Sequence, residues 1–415
     1  MFFGASFAVV RNFPRDGPSE AACGDRPMRQ WTDRSPIEFR RLQRIMRKAV
    51  VTLCFAIVFG LVAPVATRAQ AADTQPGAVF IMTNAAETNE VIAFSRAADG
   101  RLAEQGHFPT GGRGSGGGVD PLQSQGSLML SDNHALLFAV NAGSGTIAVF
   151  RVHGAQLEQI HVVPSGGSSP VAVAQRGGLL YVLHSGANAN VVAFRVNGDG
   201  ALEQITGSAH PLSNSNPGPS GLDISPDGHF LAVTERANKL VDTLRINSDG
   251  TLGSLVSTAS SGAGPFSIAF APSGALLVTE ATDSALSSYA AQANGSLTVI
   301  SGSVPTHGRA ACWHAITPDG RYVYTSNTGS SSISGFSLGP DGSLTPIGAT
   351  VLATQPAGST NLDLAITQNG KFLYSLNTGS GKVGIWAIER DGSLIGLGPA
   401  GEFAPAAGAN GIAAF

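Results

Sequence analysis

The chain has 415 residues, a length that would hold two or three average domains unless an internal repeat builds a single larger one. With 53 Gly and 23 Pro it lies below the level of low-complexity disorder, and 43% hydrophobic residues can fill a large core. A net charge of −3 gives no basic footprint for nucleic acid, and three cysteines without a Cys-x-x-Cys-His run exclude a disulfide framework and c-type haem attachment.

Charge changes along the chain. Residues 1–71 hold ten Arg and one Lys against five acids, whereas residues 72–415 hold 14 basic and 23 acidic residues, so the bulk of the chain is acidic. Met46-Arg47-Lys48 supplies a positive start, Ala49 to Ala63 an apolar run of fifteen, and Ala69-Gln70-Ala71 the small-x-small pattern read by a signal peptidase. Residues 46–71 are therefore expected to be a signal peptide cleaved after Ala71, its apolar run being shorter than the roughly 20 residues that cross a bilayer. Residues 1–45 lack hydrophobic periodicity and precede the start that a secretion signal needs, so they read as an untranslated or disordered upstream segment, with 72–76 as a short linker. No other segment could span a membrane, and the mature protein is expected in the periplasm or outside the cell. Cleavage leaves Cys312 as the single thiol. Its neighbours, Ala310-Ala311 and Trp313-His314, offer nothing to lower its pKa, and it reads as a small buried hydrophobe.

From Gly77 onward one pattern recurs. A short apolar strand leads to a Pro-Asp-Gly type turn, an apolar strand with a polar last residue, a Gly/Ser/Asn turn, a third strand, an Asp-Gly turn and a fourth strand. The glycines of the last turn fall at Gly100, Gly154, Gly200, Gly250, Gly295, Gly342 and Gly392, at intervals of 54, 46, 50, 45, 47 and 50 residues. Seven turns predict seven units. The strands are rich in β-branched and aromatic residues, as in Phe230 to Thr234, Leu240 to Ile246 and Thr251 to Ser257, and no stretch reads as a helix. Four-stranded units of this size are propeller blades, whose radial stacking covers both sheet faces and exposes only short edges. The expected fold class is all-β, a seven-bladed β-propeller over 77–415 as one domain. Blade one begins at Ala78 without an innermost strand before it, and Asn410 to Phe415 look like an innermost strand with no blade after it. The C-terminal strand is therefore expected to join the first blade and close the ring, which needs no partner for stability and is expected to be a monomer.

The strings Thr317-Pro-Asp-Gly-Arg-Tyr-Val-Tyr324, Ser225-Pro-Asp-Gly-His-Phe-Leu231 and Ser326-Asn-Thr-Gly-Ser-Ser-Ser-Ile-Ser334 resemble the seven-bladed lactonase propellers. That family includes bacterial 6-phosphogluconolactonase-like proteins and fungal carboxymuconate cyclases, and the likeness covers all seven blades. It implies a hydrolase acting on, or forming, an anionic sugar or carboxylated lactone at the mouth of the central channel, with neither cofactor nor metal. It also implies a His five residues before a turn glycine and an Arg after Ser-Asn, where this chain has Ala315 and Thr328.

In such a blade the loop into the innermost strand and the turn after the second strand share one face. The second strands end in Asn84, Asn141, His184, Glu235, Glu280, Asn327 and Asn377. Asn suits a turn, and Asn141 and Asn327 are also candidate substrate contacts. Glu235 and Glu280, in adjacent blades, would form a carboxylate pair that holds a general base near neutrality, or else rim charges solvated or paired with Arg236. His184 or His314 would assist as acid. His314 stands where other blades carry Leu128, Val171, Leu222, Ile268 and Leu364, and either faces the channel or lies in the core. The loop Thr110 to Gly118 contains a Gly-x-Gly-x-x-Gly without a helix after it, so it is no dinucleotide fingerprint. Its amides with Arg113 could cradle a carboxylate or phosphate, or the loop carries no ligand. Arg113, Arg236 and Arg309 are the candidate anchors for a substrate anion, with His307 adding positive charge. The alternative function is a non-catalytic propeller that binds a small ligand or partner protein on the same face. His-Glu-x-x-His, Gly-x-Ser-x-Gly and Walker motifs are absent, which removes metalloprotease, serine hydrolase and nucleotide hydrolase readings.

Overall fold

The computed structural model describes residues 77–214 and 216–415; the expectations for residues 1–76, the signal peptide among them, lie outside the described residues. The second strands show why the sequence reads as apolar runs rather than alternation. Phe230–Glu235 and Ala275–Glu280 are buried at every position, because a neighbouring blade covers each face of the sheet. The described strands form seven antiparallel sheets, each from innermost to outermost strand in chain order apart from the first. Blade 1 spans 77–109 with 412–414, and blades 2 to 7 span 128–164, 170–211, 219–259, 265–305, 311–354 and 361–400. The only helical element among the described residues is one 3-10 turn, Thr328–Ser330.

Blade 3 departs from the repeat. Its outer edge is split into Leu202–Gln204 and His210–Pro211, both paired with Asn190–Val196. In the gap Ser208 Oγ takes the place of a strand, accepting from Ala193 N (3.1 Å) and donating to Ala193 O (3.2 Å).

The ring closes as expected. Ile412–Ala414 pairs with Gly77–Met82 through Val79 with Ala414, Phe80 with Ala413 and Ile81 with Ile412, so chain ends join in one sheet. The seven clock glycines all adopt positive φ, between 61° and 90°, the left-handed turn conformation that a Cβ disfavours. Three of these turns are fixed to the preceding blade by a buried tyrosine. Tyr181 donates to Gly250 O, Tyr324 to Gly392 O and Tyr374 to Gly100 O, each at 2.9 Å, and the last of these bonds ties blade 7 to blade 1.

Candidate active site at the channel mouth

Strand pairing brings the seven second-strand ends to one end of the ring, where the loop into each blade also arrives. None of these seven residues is more than 2% exposed, so they do not form an open rim. They clamp the incoming loops instead. Four loops carry a Ser/Thr-x-Gly pattern, ending in Gly112, Gly167, Gly262 and Gly308, and a Cβ at any of these would collide with Asn141, His184, Glu280 or Asn327 respectively. The hydroxyl two residues earlier often completes the clamp. Thr110 Oγ1 donates to Asn141 Oδ1 (2.6 Å), Ser165 Oγ bonds His184 Nε2 (3.0 Å), and Ser260 Oγ donates to Glu280 Oε1 (3.3 Å).

The expected Glu235 and Glu280 pair is therefore corrected: each carboxylate sits in its own network. Glu280 accepts from Gly262 N (2.7 Å) and from the hydroxyls of Ser287 (2.7 Å), Ser303 (2.6 Å) and Ser260. Glu235 accepts from Ser213 N (2.8 Å), Ser213 Oγ and Asn238 Nδ2 (2.7 Å). The carboxyl facing Glu235 is Asp242, on the next strand of the same blade. Burial acts to raise Glu235, but hydrogen bonds from Asp242, Ser213 and Asn238 outweigh it and hold the group below its usual value. Burial, then the bond to Glu235, pushes Asp242 up to about 8. A hydrogen bond from Ser257 pulls Asp242 down by less than burial and Glu235 push it up, so the neutral acid is the form that fits, with its proton directed at Glu235.

Both histidines are core residues. His314 lies between blades 5 and 6 with Nδ1 2.5 Å from Ser267 Oγ, and burial pushes it down to about 3. Burial likewise pushes His184 down to about 4. At neutral pH each is an uncharged imidazole only 1% exposed, and neither is placed to donate a proton to a substrate.

The channel mouth is filled by the continuation of the glycine-rich loop. Residues 119–126 run into the axis and bond to four blades. Ser124 Oγ donates to Val171 O (2.8 Å) and Gln125 N to Ser220 O (2.9 Å). Trp313 Nε1 donates to Ser124 O (3.0 Å), and Gln125 Nε2 to His314 O (2.8 Å) and Asp363 Oδ1 (3.0 Å). Positive φ at Asp120 (49°) and Gln123 (50°) compacts this plug, and Asp120 Oδ1 accepts from Gln123 N (3.0 Å).

On the plug a small set of groups converges. Asp120 also accepts from Asn410 Nδ2 (3.0 Å), just before the closing strand. Arg236 donates to Gln123 Oε1 and lies 5.7 Å from the centre of the Phe266 ring, which meets Trp313 edge-on at 4.9 Å. Burial pushes Asp120 up to about 7, against the bonds from Asn410 and Gln123 and the charge of Arg236, which pull it down. The residue is partly exposed, while its carboxyl is largely desolvated. Beside it, burial, with the charge of Asp120, pushes the Cys312 thiol up to about 12, so it is no nucleophile. Asp120 escapes a sequence reading because a lone acid before Pro121 carries no pattern, and strand periodicity does not say that a loop turns into the axis.

The glycine loop is not an open anion cradle. Gly114 N and Gly116 N donate to Ala85 O (2.8 Å) and Asn84 O (2.9 Å), and Ser115 N to Asn84 Oδ1 (3.0 Å), so these amides serve blade 1. Arg113 is exposed, and the exposed Arg309 donates to Gly329 O (2.8 Å). Of the three arginines, Arg236 is the one bonded to the plug. Asn141 and Asn327 belong to the clamps. Among the described residues no three His, Cys, Asp or Glu side chains converge to hold a metal. A larger cleft, about 660 Å³, opens at the opposite end of the ring between turns of blades 4 and 5. Its ionisable groups include the exposed turn residues Asp227 and His229, 3.2 Å apart, and its acids Asp227 and Asp341 are held below their usual value by hydrogen bonds, those of Ser225 and Ser343 foremost.

No curated protein matches the sequence. Among solved structures, a Pseudomonas aeruginosa periplasmic gluconolactonase is 19% identical with a TM-score of 0.61, covering 81% of this chain and 99% of its own. A Lactobacillus plantarum protein is 18% identical with a TM-score of 0.66 (82% and 99%), and a Bacteroides fragilis candidate 6-phosphogluconolactonase is 16% identical with a TM-score of 0.63 (83% and 99%). At these identities the likeness is one of fold. The family model described as lactonase, seven-bladed β-propeller, matches residues 81–210, 172–313 and 310–404, nearly the whole of the described ring. The chain belongs to the seven-bladed β-propeller lactonases.

Proposed function

We propose that the protein is an exported lactonase that hydrolyses an anionic sugar or carboxylated lactone at the channel mouth, with Asp120 as general base. The observation that carries this reading is a carboxyl that burial pushes up to about 7, on a partly exposed residue beside an arginine. Ionised Asp120 removes a proton from water as its oxygen bonds to the lactone carbonyl carbon. Arg236 attracts the substrate anion and the developing oxyanion. When the ring C–O bond breaks, the proton returns from Asp120 to the departing oxygen and a hydroxy acid leaves. The residues at 46–71 support export, as does the periplasmic location named for the Pseudomonas relative.

The test is proton release by residues 72–415 on a panel of lactones, 6-phosphogluconolactone included, against the spontaneous rate. Turnover that Asp120→Asn removes while folding persists is the expected result. The second reading, a ligand-binding platform without chemistry, draws on the burial of His184 and His314, which keeps both imidazoles neutral. It replaces the first if no lactone exceeds background or if Asp120→Asn turns over like the parent.

A further inference from the structure

In blades 4 to 6 one register position of the third strand carries a polar side chain, and in blade 7 it carries none. On the third strand, the residue opposite the fourth position of the second strand is Asp242 in blade 4, Ser287 in blade 5 and Ser334 in blade 6. The two serines bond the strand-end residues Glu280 (2.7 Å) and Asn327 (2.8 Å). The counterpart in blade 7 is Gly384. Gly396 and Gly398 follow on the outermost strand, paired with Trp386 and Ile385.

These losses open a cleft of about 310 Å³ between blade 7 and the loop that enters it. One wall is Trp386. It takes the register position of Phe150, Phe194, Tyr289 and Phe336, all fully buried, but is itself only partly buried and lies over Gly396. Two amides face the vacated space. Beside Gly384 the Cβ position is taken by Ser375 Oγ, and the two amides lie just beyond it, Asn377 Nδ2 at 3.0 Å and Gln355 Oε1 at 3.2 Å. Neither atom makes a hydrogen bond among the described residues, although Gln355 Nε2 and Asn377 Oδ1 each meet Ser375 Oγ. Lys382 at the edge is engaged by Glu402 at 2.6 Å, so the cleft offers little free charge.

We propose that this cleft is a second binding site, separate from the channel mouth, and that it takes a neutral, hydroxylated six-membered ring of the pyranose class. An indole face receives the C–H side of such a ring, while one free amide donor and one free acceptor match hydroxyls that both give and accept. An ionic ligand would find no uncompensated partner, and a purely aromatic one would leave both amides unsatisfied.

Saturation-transfer NMR of residues 72–415 with methyl β-D-glucopyranoside tests it, with phenol as the aromatic competitor. Gly384→Ser installs the side chain that blades 5 and 6 carry, for which Ser375 Oγ must turn aside, and Trp386→Phe the ring of blades 2, 3 and 6; thermal unfolding of both variants checks that the ring stays folded. Transfer to the sugar is expected in the parent and in Asp120→Asn, with affinity about tenfold lower in Gly384→Ser and Trp386→Phe. The proposal is overturned if the parent gives no transfer, if Gly384→Ser binds equally well, or if phenol binds and the sugar does not.

Discussion

Glu280 and Asp120 are acids at the same end of the ring, yet their surroundings give them different work. Four donors, one backbone amide and three hydroxyls, point at Glu280, whereas Asp120 has two, both on one oxygen. Replacing Glu280 with Gln puts an NH2 against groups that are themselves donors. Glu280→Gln is therefore expected to cost ~2 kcal/mol or more in urea unfolding, with turnover per folded molecule unchanged. Asp120 should instead shape the pH–rate profile. Activity should rise as the carboxyl ionises through a pH of about 7, an acid limb that Asp120→Asn loses along with the rate. The clamp was legible in part: polar strand ends and Ser/Thr-x-Gly loops both stand in the sequence, at Thr110-Gly-Gly112 and Ser260-Ser-Gly262. What the sequence hid was their mutual burial, because alternating polarity at a strand end looks the same whether a loop covers it or not.

At the scale of the blade, the turn glycines explain why the fold could be read. A left-handed residue is needed at each of these seven turns, five of them Asp-Gly, so glycine recurs with the period of the blade however far the rest of the repeat drifts. The loops carry no such constraint, and the plug at 119–126 could be placed only by its bonds to blades 3, 4, 6 and 7. The tyrosine rivets add a prediction. Tyr374→Phe leaves Gly100 O without its donor at the seam between blades 7 and 1, and is expected to lower stability by ~1–2 kcal/mol in denaturant unfolding. No measurable loss would mean that the seam does not depend on this bond.

The whole molecule gathers acids about its axis. Asp120 on the plug is pushed up to about 7, Asp363 on the innermost strand of blade 7 to about 7 and Asp223 on that of blade 4 to about 6, burial leading in each case, and Asp242 further out reaches about 8. The plug itself couples two of them, since the charge of Asp363 raises Asp120. In the unfolded chain all four carboxyls are ionised well below pH 6, so between pH 6 and 8.5 only the native state gives up protons. Stability must then fall as pH rises, by about 1.4 kcal/mol per pH unit for each proton that the native state alone still holds. His184 and His314 oppose this only at the lower end, where the unfolded chain begins to protonate them near its ordinary pKa of 6.5 while the native imidazoles stay neutral. Thermal unfolding followed by circular dichroism should show Tm decreasing from pH 6 to 8.5, and Asp242→Asn should flatten the upper part of that decline. A Tm that holds level or climbs over this range would mean that these aspartates are already ionised in the folded ring, and that something other than a shared proton satisfies the pair of Glu235 and Asp242.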